Sequence, residues 1–333
     1  MFKKLYENEN PSQKEIEDLL SVEGEQQEEL LNFADGIRKK HCGEAIILRG
    51  IVEFSSYCNR TCAYCGLNTK NHSLKRYRMS FEEILQSAAL IASYNIGTVV
   101  LQSGEDEKMS AAEFADIIKE IKSRYKIAVT LSVGERSKQD YRLWKEAGAD
   151  RYLLKIETSD RALYEELHPG MSFENRLRCL HDLRDLGYQV GSGIIVGLKG
   201  QTTAILAKDI LFLKKLDLDM IGIGPFIPHK DTPLGSEPAG SVDLTLKTIA
   251  LTRILTKKTN IPATTALGSL SRDFRPEGLK AGANVLMPNF TPDIYKKLYE
   301  IYPGKRCIDE KTGSCAFCME KMANSLGRVV SNA

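Results

Sequence analysis

The stretch LRGIVEFSSYCNRTCAYCG, residues 48–66, holds the two features that decide how this 333-residue chain is read. Its first part, Leu48–Phe54, is a short apolar run with the length and residue types of a β-strand. The strand runs straight into a loop that carries Cys58, Cys62 and Cys65 at C-x3-C-x2-C spacing. Working outward, seven more apolar segments rich in β-branched residues follow: Thr98–Gln102, Ile127–Val133, Arg151–Glu157, Gln189–Val196, Met220–Ile227, Ile261–Leu267 and Asn284–Met287. Most are separated by stretches with helical apolar spacing, such as Ile84, Leu85, Ala88 and Ile91, or Phe114, Ile117, Ile118 and Ile121. N-cap residues open several of these: Ser80 with Glu83, Ser110 with Glu113, Ser137, Ser172, and Thr291 ahead of Pro292 at the first helical position.

Strands alternating with helices pair in parallel through right-handed crossovers. Eight such units predict an α/β fold, a complete (β/α)8 TIM-type barrel in one domain spanning residues 48–290. An open doubly wound sheet competes, but no GxGxxG follows the first strand. Residues 1–47 read as a helical preface, with a Ser12/Glu15 capping box and a second helix over about Glu25–Lys40. Residues 291–333 leave the alternation and form a cysteine-bearing C-terminal extension expected near one mouth of the barrel.

Lys and Arg total 46 against 44 Asp and Glu, so there is no strong positive field for a nucleic-acid backbone or an anionic membrane. The N-terminus has no apolar run of signal-peptide type, and no window approaches the ~18 apolar residues of a membrane span. A cytoplasmic protein is expected. Six of the eight cysteines sit in two tight clusters, a metal or redox pattern rather than a set of disulfides, and Cys42 and Cys179 read as ordinary buried thiols.

Three thiolates in one loop can hold three irons of a cubane and leave the fourth open to a small chelating molecule. After the first strand, such a loop falls on the C-terminal face, where barrel active sites lie. A structural zinc site is the alternative, but it takes four protein ligands, and His72 is poorly spaced to be the fourth.

This loop resembles that of the radical S-adenosylmethionine (SAM) superfamily. The resemblance implies a [4Fe–4S] cluster on Cys58, Cys62 and Cys65 and reductive cleavage of SAM to a 5′-deoxyadenosyl radical. It implies a backbone contact from Tyr64 near the adenine. It also likens Ser103-Gly104-Glu105 to the Gly-Gly-Glu element that grips the methionine amino group, with Ser103 in place of the first glycine. Glu157 ends the fourth strand, where a carboxylate suits the ribose hydroxyls. Arg176 stands at the next helix start, placed to meet the methionine carboxylate. Gly193–Gly197, centred on Ile195, resembles the adenine-contacting strand.

Read together, EFSSYCNRTCAYCGLNTKN, RYRMSFEEIL, VLQSGED, TLSVGER, GADRYLLKIET, GSGIIVGLKGQT, GIGPFIPHKDTPL and IPATTALG resemble the HydE family of [FeFe]-hydrogenase maturases. That family is related to biotin synthase and methylornithine synthase. The resemblance implies work on a HydG-derived synthon carrying iron, CO, cyanide and cysteine. The implied cavity residues are Gln102, Thr130, Lys155, Thr264, Thr265, Met287 and Tyr302. Lys155 replaces an expected arginine, keeping the charge and losing the bidentate fork. Implied transient partners are HydG, HydF and a ferredoxin or flavodoxin reductant. Cys307, Cys315 and Cys318 resemble an accessory iron–sulfur site, of [2Fe–2S] or [4Fe–4S] type. Two other readings stay open. One is a methylornithine synthase-type enzyme acting on an amino-acid-like substrate; the other is a non-catalytic, zinc-stabilised binding protein.

Overall fold

The structure, a computed structural model, describes residues 2–331. The first residue of the expected preface and the last two of the expected extension lie outside the described residues. Six parallel strands run side by side in chain order: β2 (Gly50–Ser55), β3 (Thr98–Ser103), β4 (Ala128–Ser132), β5 (Arg151–Leu153), β6 (Gln189–Val196) and β7 (Met220–Pro225). A small second sheet places β1 (Ile46–Leu48) between β8 (Val285–Leu286) and β9 (Val330–Ser331), also in parallel. Isolated parallel bridges extend from both edges of the large sheet: Met220 to Asn260 and Ile223 to Ala263 on one side, Ile51 to Asn289 on the other. A further bridge joins Pro262 to Val285.

The helices follow from their caps and apolar spacing. In Phe81–Ser93, Ser80 accepts from the Glu83 N–H while the Glu83 carboxylate returns to the Ser80 N–H, and Ile84, Leu85, Ala88 and Ile91 turn inward. The Ser12, Ser110 and Ser137 caps close the same reciprocal box. Gly50 lets β2 approach this helix, since a Cβ there would stand 2.7 Å from the Ile91 side chain. Truncating such a fully buried isoleucine to alanine costs about 2–5 kcal/mol. Of the preface, helix Gln13–Leu20 reaches the sheet's helical layer through Gln13 Nε2, which donates to the Ala204 carbonyl at 3.0 Å. Lys247 Nζ donates to the Val22 carbonyl between the preface helices.

The structure departs from the sequence expectation at several places, beginning with the first strand: Leu48–Phe54 is divided between β1 and β2, which belong to different sheets. Residues 261–267 form bridge positions and then a short helix, Thr265–Gly268, rather than a seven-residue strand. Pro262 has no N–H to give a ladder, which limits pairing there. The fourth expected strand is shorter than read: only Arg151–Leu153 is strand, and the chain then rises to Glu157 in a left-handed conformation, φ +64°. The helix expected to start at Pro292 starts one residue later, at Asp293, with Pro292 itself at the cap. Cys179 is buried as expected; Cys42 is only half-buried.

Candidate active site at the strand ends

The cysteine loop leaves β2 and is held from four directions. The Asn59 N–H donates to the Glu105 carbonyl beyond β3, and the Ala63 N–H to the Leu167 carbonyl. The Ala63 carbonyl accepts from the Leu234 N–H, and the Gly66 N–H donates to the Ile301 carbonyl of the C-terminal segment. Two glycines make these approaches possible. A Cβ on Gly66 would meet the Glu300 carbonyl oxygen at 2.1 Å; one on Gly104 would meet the Tyr57 carbonyl oxygen at 2.3 Å and Cys58 Cβ at 2.6 Å.

Cys58 Sγ accepts two backbone N–H groups, from Arg60 and Glu105, each at 3.4 Å. Burial pushes the thiols of Cys58, Cys62 and Cys65 up, Cys65 to about 12, so iron must displace their protons. Among the described residues no three His, Cys, Asp or Glu side chains converge on a single-ion position. A cubane makes no such demand, because each sulfur bonds a different iron. Three half-buried thiols on one loop therefore fit a cluster with one iron left for a small ligand.

Three carboxylates rise from successive strand ends around this loop, and each is already matched by a cation. Glu105, after β3, faces Arg60 Nε at 2.5 Å and accepts the Glu135 N–H at 3.0 Å. Glu135, after β4, takes Arg176 Nε at 2.7 Å and Asn175 Nδ2 at 2.7 Å. Glu157, after β5, stands 2.9 Å from Lys155 Nζ. That last contact is an ion pair without hydrogen-bond alignment, and it leaves the buried Glu157 Oε2 without a donor. Arg176 also donates to the Lys155 carbonyl. The Glu157 carbonyl accepts the Ile195 N–H at 3.2 Å, which places β6 against it. Sequence reading gave Glu135 no role. Its signal was positional: like Glu105 and Glu157 it lies within a few residues of a strand end.

Tyr64 lies within the cysteine loop, and its hydroxyl meets His168 Nε2 at 2.9 Å. Burial lowers the His168 imidazole to about 3, so it is neutral, and its Nδ1 stands 2.8 Å from the Tyr164 carbonyl. Ser103 ends β3, with its hydroxyl turned to the Gly104 carbonyl at 2.6 Å.

The expected cavity residues divide into groups. Gln102 Nε2 meets the Tyr299 hydroxyl at 3.2 Å. Lys155 pairs with Glu157, and Thr264 Oγ1 donates to the Ile223 carbonyl at 3.3 Å. The Thr265 carbonyl accepts from the Ser269 hydroxyl at 2.8 Å, and Tyr302 is half-buried in the C-terminal segment. Met287, just beyond β8, is half-buried. Thr130 is set elsewhere: its unpartnered hydroxyl lines a small cavity with Arg49, Arg151, Gln189 and Met220, residues at strand beginnings. In the C-terminal segment Cys307 and Cys315 bring their sulfurs to 3.3 Å, with Arg275 nearby, while Cys318 lies exposed one turn along helix Ser314–Ser325. The Cys307–Cys315 pair shares a hydrogen bond, so its first proton leaves more easily than its second.

Comparison with known proteins gives this geometry a context. The model of the radical SAM superfamily matches residues 52–213. The [FeFe] hydrogenase maturase subunit HydE of Thermotoga maritima is 52% identical over 301 residues, covering 90% of this chain and 86% of that protein. A 3-methylornithine synthase of Methanosarcina acetivorans is 30% identical, covering 85% of this chain and 81% of that one. The crystal structure of methylornithine synthase (PylB) superposes with a TM-score of 0.88 at 25% identity, covering 99% and 97% of the two chains. Radical SAM enzymes use a [4Fe–4S] cluster and SAM, and a three-thiol loop ringed by ion-paired carboxylates fits that pair. With half of its residues shared with a HydE across nearly its whole length, the chain is a radical SAM enzyme and belongs to the HydE family of [FeFe]-hydrogenase maturases.

Proposed function

We propose that this chain acts in assembly of the diiron cofactor of [FeFe]-hydrogenase, on an iron synthon bearing CO, cyanide and cysteine, with Cys58, Cys62 and Cys65 holding its cluster. The cluster, when bound, supplies the electron that cleaves SAM to methionine and a 5′-deoxyadenosyl radical. One observation carries the residue assignment: the strand ends gather three pre-formed ion pairs, Arg60–Glu105, Arg176–Glu135 and Lys155–Glu157, around the thiol loop. An amino-acid moiety is itself one cation and one anion. It enters such a balanced site by exchanging partners, its ammonium taken by the Ser103–Glu105 turn and its carboxylate by Arg176.

Glu157 is 8% exposed and its Oε2 meets only Lys155 Nζ, without hydrogen-bond alignment, which leaves the carboxylate acceptor capacity for a diol. Tyr64 and the β6 backbone at Ile195 flank the adenine. Gln102, Thr264, Thr265, Met287 and Tyr302 line the space beyond for the synthon, with Lys155 as its cationic wall and Thr130 deeper, toward the strand beginnings. The isolated bridges at Asn260, Ala263, Val285 and Asn289 support a ring of eight strand positions over residues 48–290. Residues 1–47 then cover it, and residues 291–333 carry an accessory iron–sulfur site on Cys307, Cys315 and Cys318. HydG, HydF and a low-potential reductant are the transient partners of this reading. No described helix is long and apolar enough to cross a membrane.

The test is anaerobic reconstitution with iron and sulfide, reduction, and assay of 5′-deoxyadenosine from SAM beside a Cys58→Ala control, then with the HydG product added. Cluster-dependent 5′-deoxyadenosine that rises with the HydG product supports the reading. A colourless, zinc-loaded protein that releases none overturns it.

A further inference from the structure

The stretch Arg76-Tyr77-Arg78-Met79 follows the cysteine loop, and one of its cations has no use in the site described above. The Arg76 guanidinium donates only to main-chain carbonyls. Nη1 reaches Ser56 at 2.5 Å and Leu67 at 2.8 Å; Nη2 reaches Asn68 at 2.7 Å and Asn71 at 3.2 Å. Ser56 lies two residues before Cys58, and Leu67 two residues after Cys65. One side chain thus ties the entry of the loop to its exit.

The acceptors are all neutral. Among the described residues no carboxylate forms a salt bridge with Arg76, whereas Arg60 faces Glu105 and Arg78 faces Asp106 at 2.6 Å. Arg60 and Arg78, which flank the loop, therefore have their charges matched, and Arg76 does not. Half-burial makes an unmatched cation costly, and the groups that favour its charge are Cys58, Cys65 and Tyr57, all on or beside the loop. A clamp alone explains the four hydrogen bonds. It does not explain why a cation without a carboxylate stands across both ends of the loop that gathers negative charge.

We propose that Arg76 is a positioning residue that sets the redox poise of the cluster held by Cys58, Cys62 and Cys65, its fork fixing both ends of the loop and its unpaired charge favouring the reduced state. This rests on the [4Fe–4S] reading of that loop. A [4Fe–4S]2+ core with three thiolates carries a net charge of −1. One electron from an external donor, here titanium(III) oxidised to titanium(IV), makes it −2. A fixed cation in a partly desolvated setting stabilises the second state more than the first. Removing it lowers the ratio of reduced to oxidised cluster at a given poise about tenfold, which for a one-electron couple is 59 mV.

The experiment compares reconstituted full-length wild type, Arg76→Lys and Arg76→Gln. Iron and sulfide content is measured first. The reduced-cluster EPR signal is then followed through a titration with titanium(III) citrate, on the component that added SAM perturbs, which separates it from any cluster on the C-terminal cysteines. The expected result is a wild-type midpoint in Arg76→Lys, which keeps the charge and loses the fork, and a lower midpoint in Arg76→Gln. Equal midpoints in all three proteins, or equal shifts in both variants, overturn the proposal. If Arg76→Gln takes up no cluster, Arg76→Lys decides: loading at the wild-type midpoint upholds the role of the charge, and failure to load reduces Arg76 to a clamp. A wild type without any SAM-responsive cluster fails at an earlier step, and overturns the iron–sulfur reading and this proposal with it.

Discussion

Replacing Lys305 with methionine isolates the strongest long-range tie between the C-terminal segment and the large sheet. Lys305 Nζ lies 2.5 Å from both carboxylate oxygens of Glu53 on β2, and the two residues are 6% and 3% exposed. In Lys305→Met the Glu53 carboxylate keeps one donor, Asn289 Nδ2 at 3.0 Å, and loses its counter-charge in a site that water does not reach. Breaking one partner of a buried pair costs about 3–5 kcal/mol, much more than an exposed pair is worth. An unfolding entropy of roughly 2.1 cal/mol/K per residue gives about 0.7 kcal/mol/K for a chain of this length, so Tm falls by about 4–7 °C. Thermal unfolding of the apoprotein followed by circular dichroism reads this directly. Removing both charges, as Glu53→Gln with Lys305→Met, restores most of the loss, because two neutral side chains leave no stranded ion. The same tie holds the segment whose Ile301 carbonyl accepts from Gly66, so the single variant also loads less iron while the double variant recovers. A Tm drop below about 1.5 °C for Lys305→Met, or strictly additive effects in the double variant, would refute the reasoning.

Other perturbations test the site itself. Gly104→Ala drives a methyl group into the Tyr57 carbonyl and Cys58 Cβ, atoms that cannot swing aside. It is expected to cost about 1–3 kcal/mol and to abolish cluster loading, and full iron content in that variant would contradict the close-approach argument. Glu157→Gln removes the anionic acceptor proposed for the ribose. SAM affinity should weaken by about tenfold or more by equilibrium binding, and an unchanged Kd would remove Glu157 from the SAM site. His168 gives a pH signature. Its folded-state value of about 3 lies below the ordinary 6.5, so its contribution to stability is complete above 6.5 and is lost as pH falls toward 3. Between pH 7 and pH 5 the wild type should lose about 2 kcal/mol relative to His168→Gln in urea unfolding of the apoprotein, and a pH-independent difference would count against a buried neutral imidazole.

Local chemistry was the legible part of this chain. Each reciprocal capping box is built within four consecutive residues, so spacing located three of the four, while at Ser137 it gave the cap without its Asp140 partner. The cysteine loop was legible for the same reason: its function is written in the distances between three neighbouring thiols. The strands were harder to bound where tertiary pairing decides them. Leu154 and Ile156 are as apolar as a strand requires, yet regular strand stops at Leu153, and the chain pairs with β6 again only at the Glu157–Ile194 bridge, in the left-handed conformation of Glu157. Residues 261–267 look equally strand-like, but Pro262 donates nothing, and the helix at Thr265 takes over.

What the sequence concealed was pairing at a distance. Glu53 and Lys305 lie 252 residues apart, and Glu135 and Arg176 are separated by 41; neither interval carries a local periodicity. Yet the carboxylates were findable by position. Each of Glu105, Glu135 and Glu157 follows a strand on the face where parallel α/β architectures place their chemistry. Three such positions in successive strands call for matching cations, because carboxylates gathered at one buried mouth cannot all stay ionised unpaired. Arg60, Arg176 and Lys155 supply them, from a loop, a helix start and a strand end. The same accounting leaves Arg76 over: its four partners are carbonyls, and the match proposed for it is the charge the three thiols would carry on a cluster.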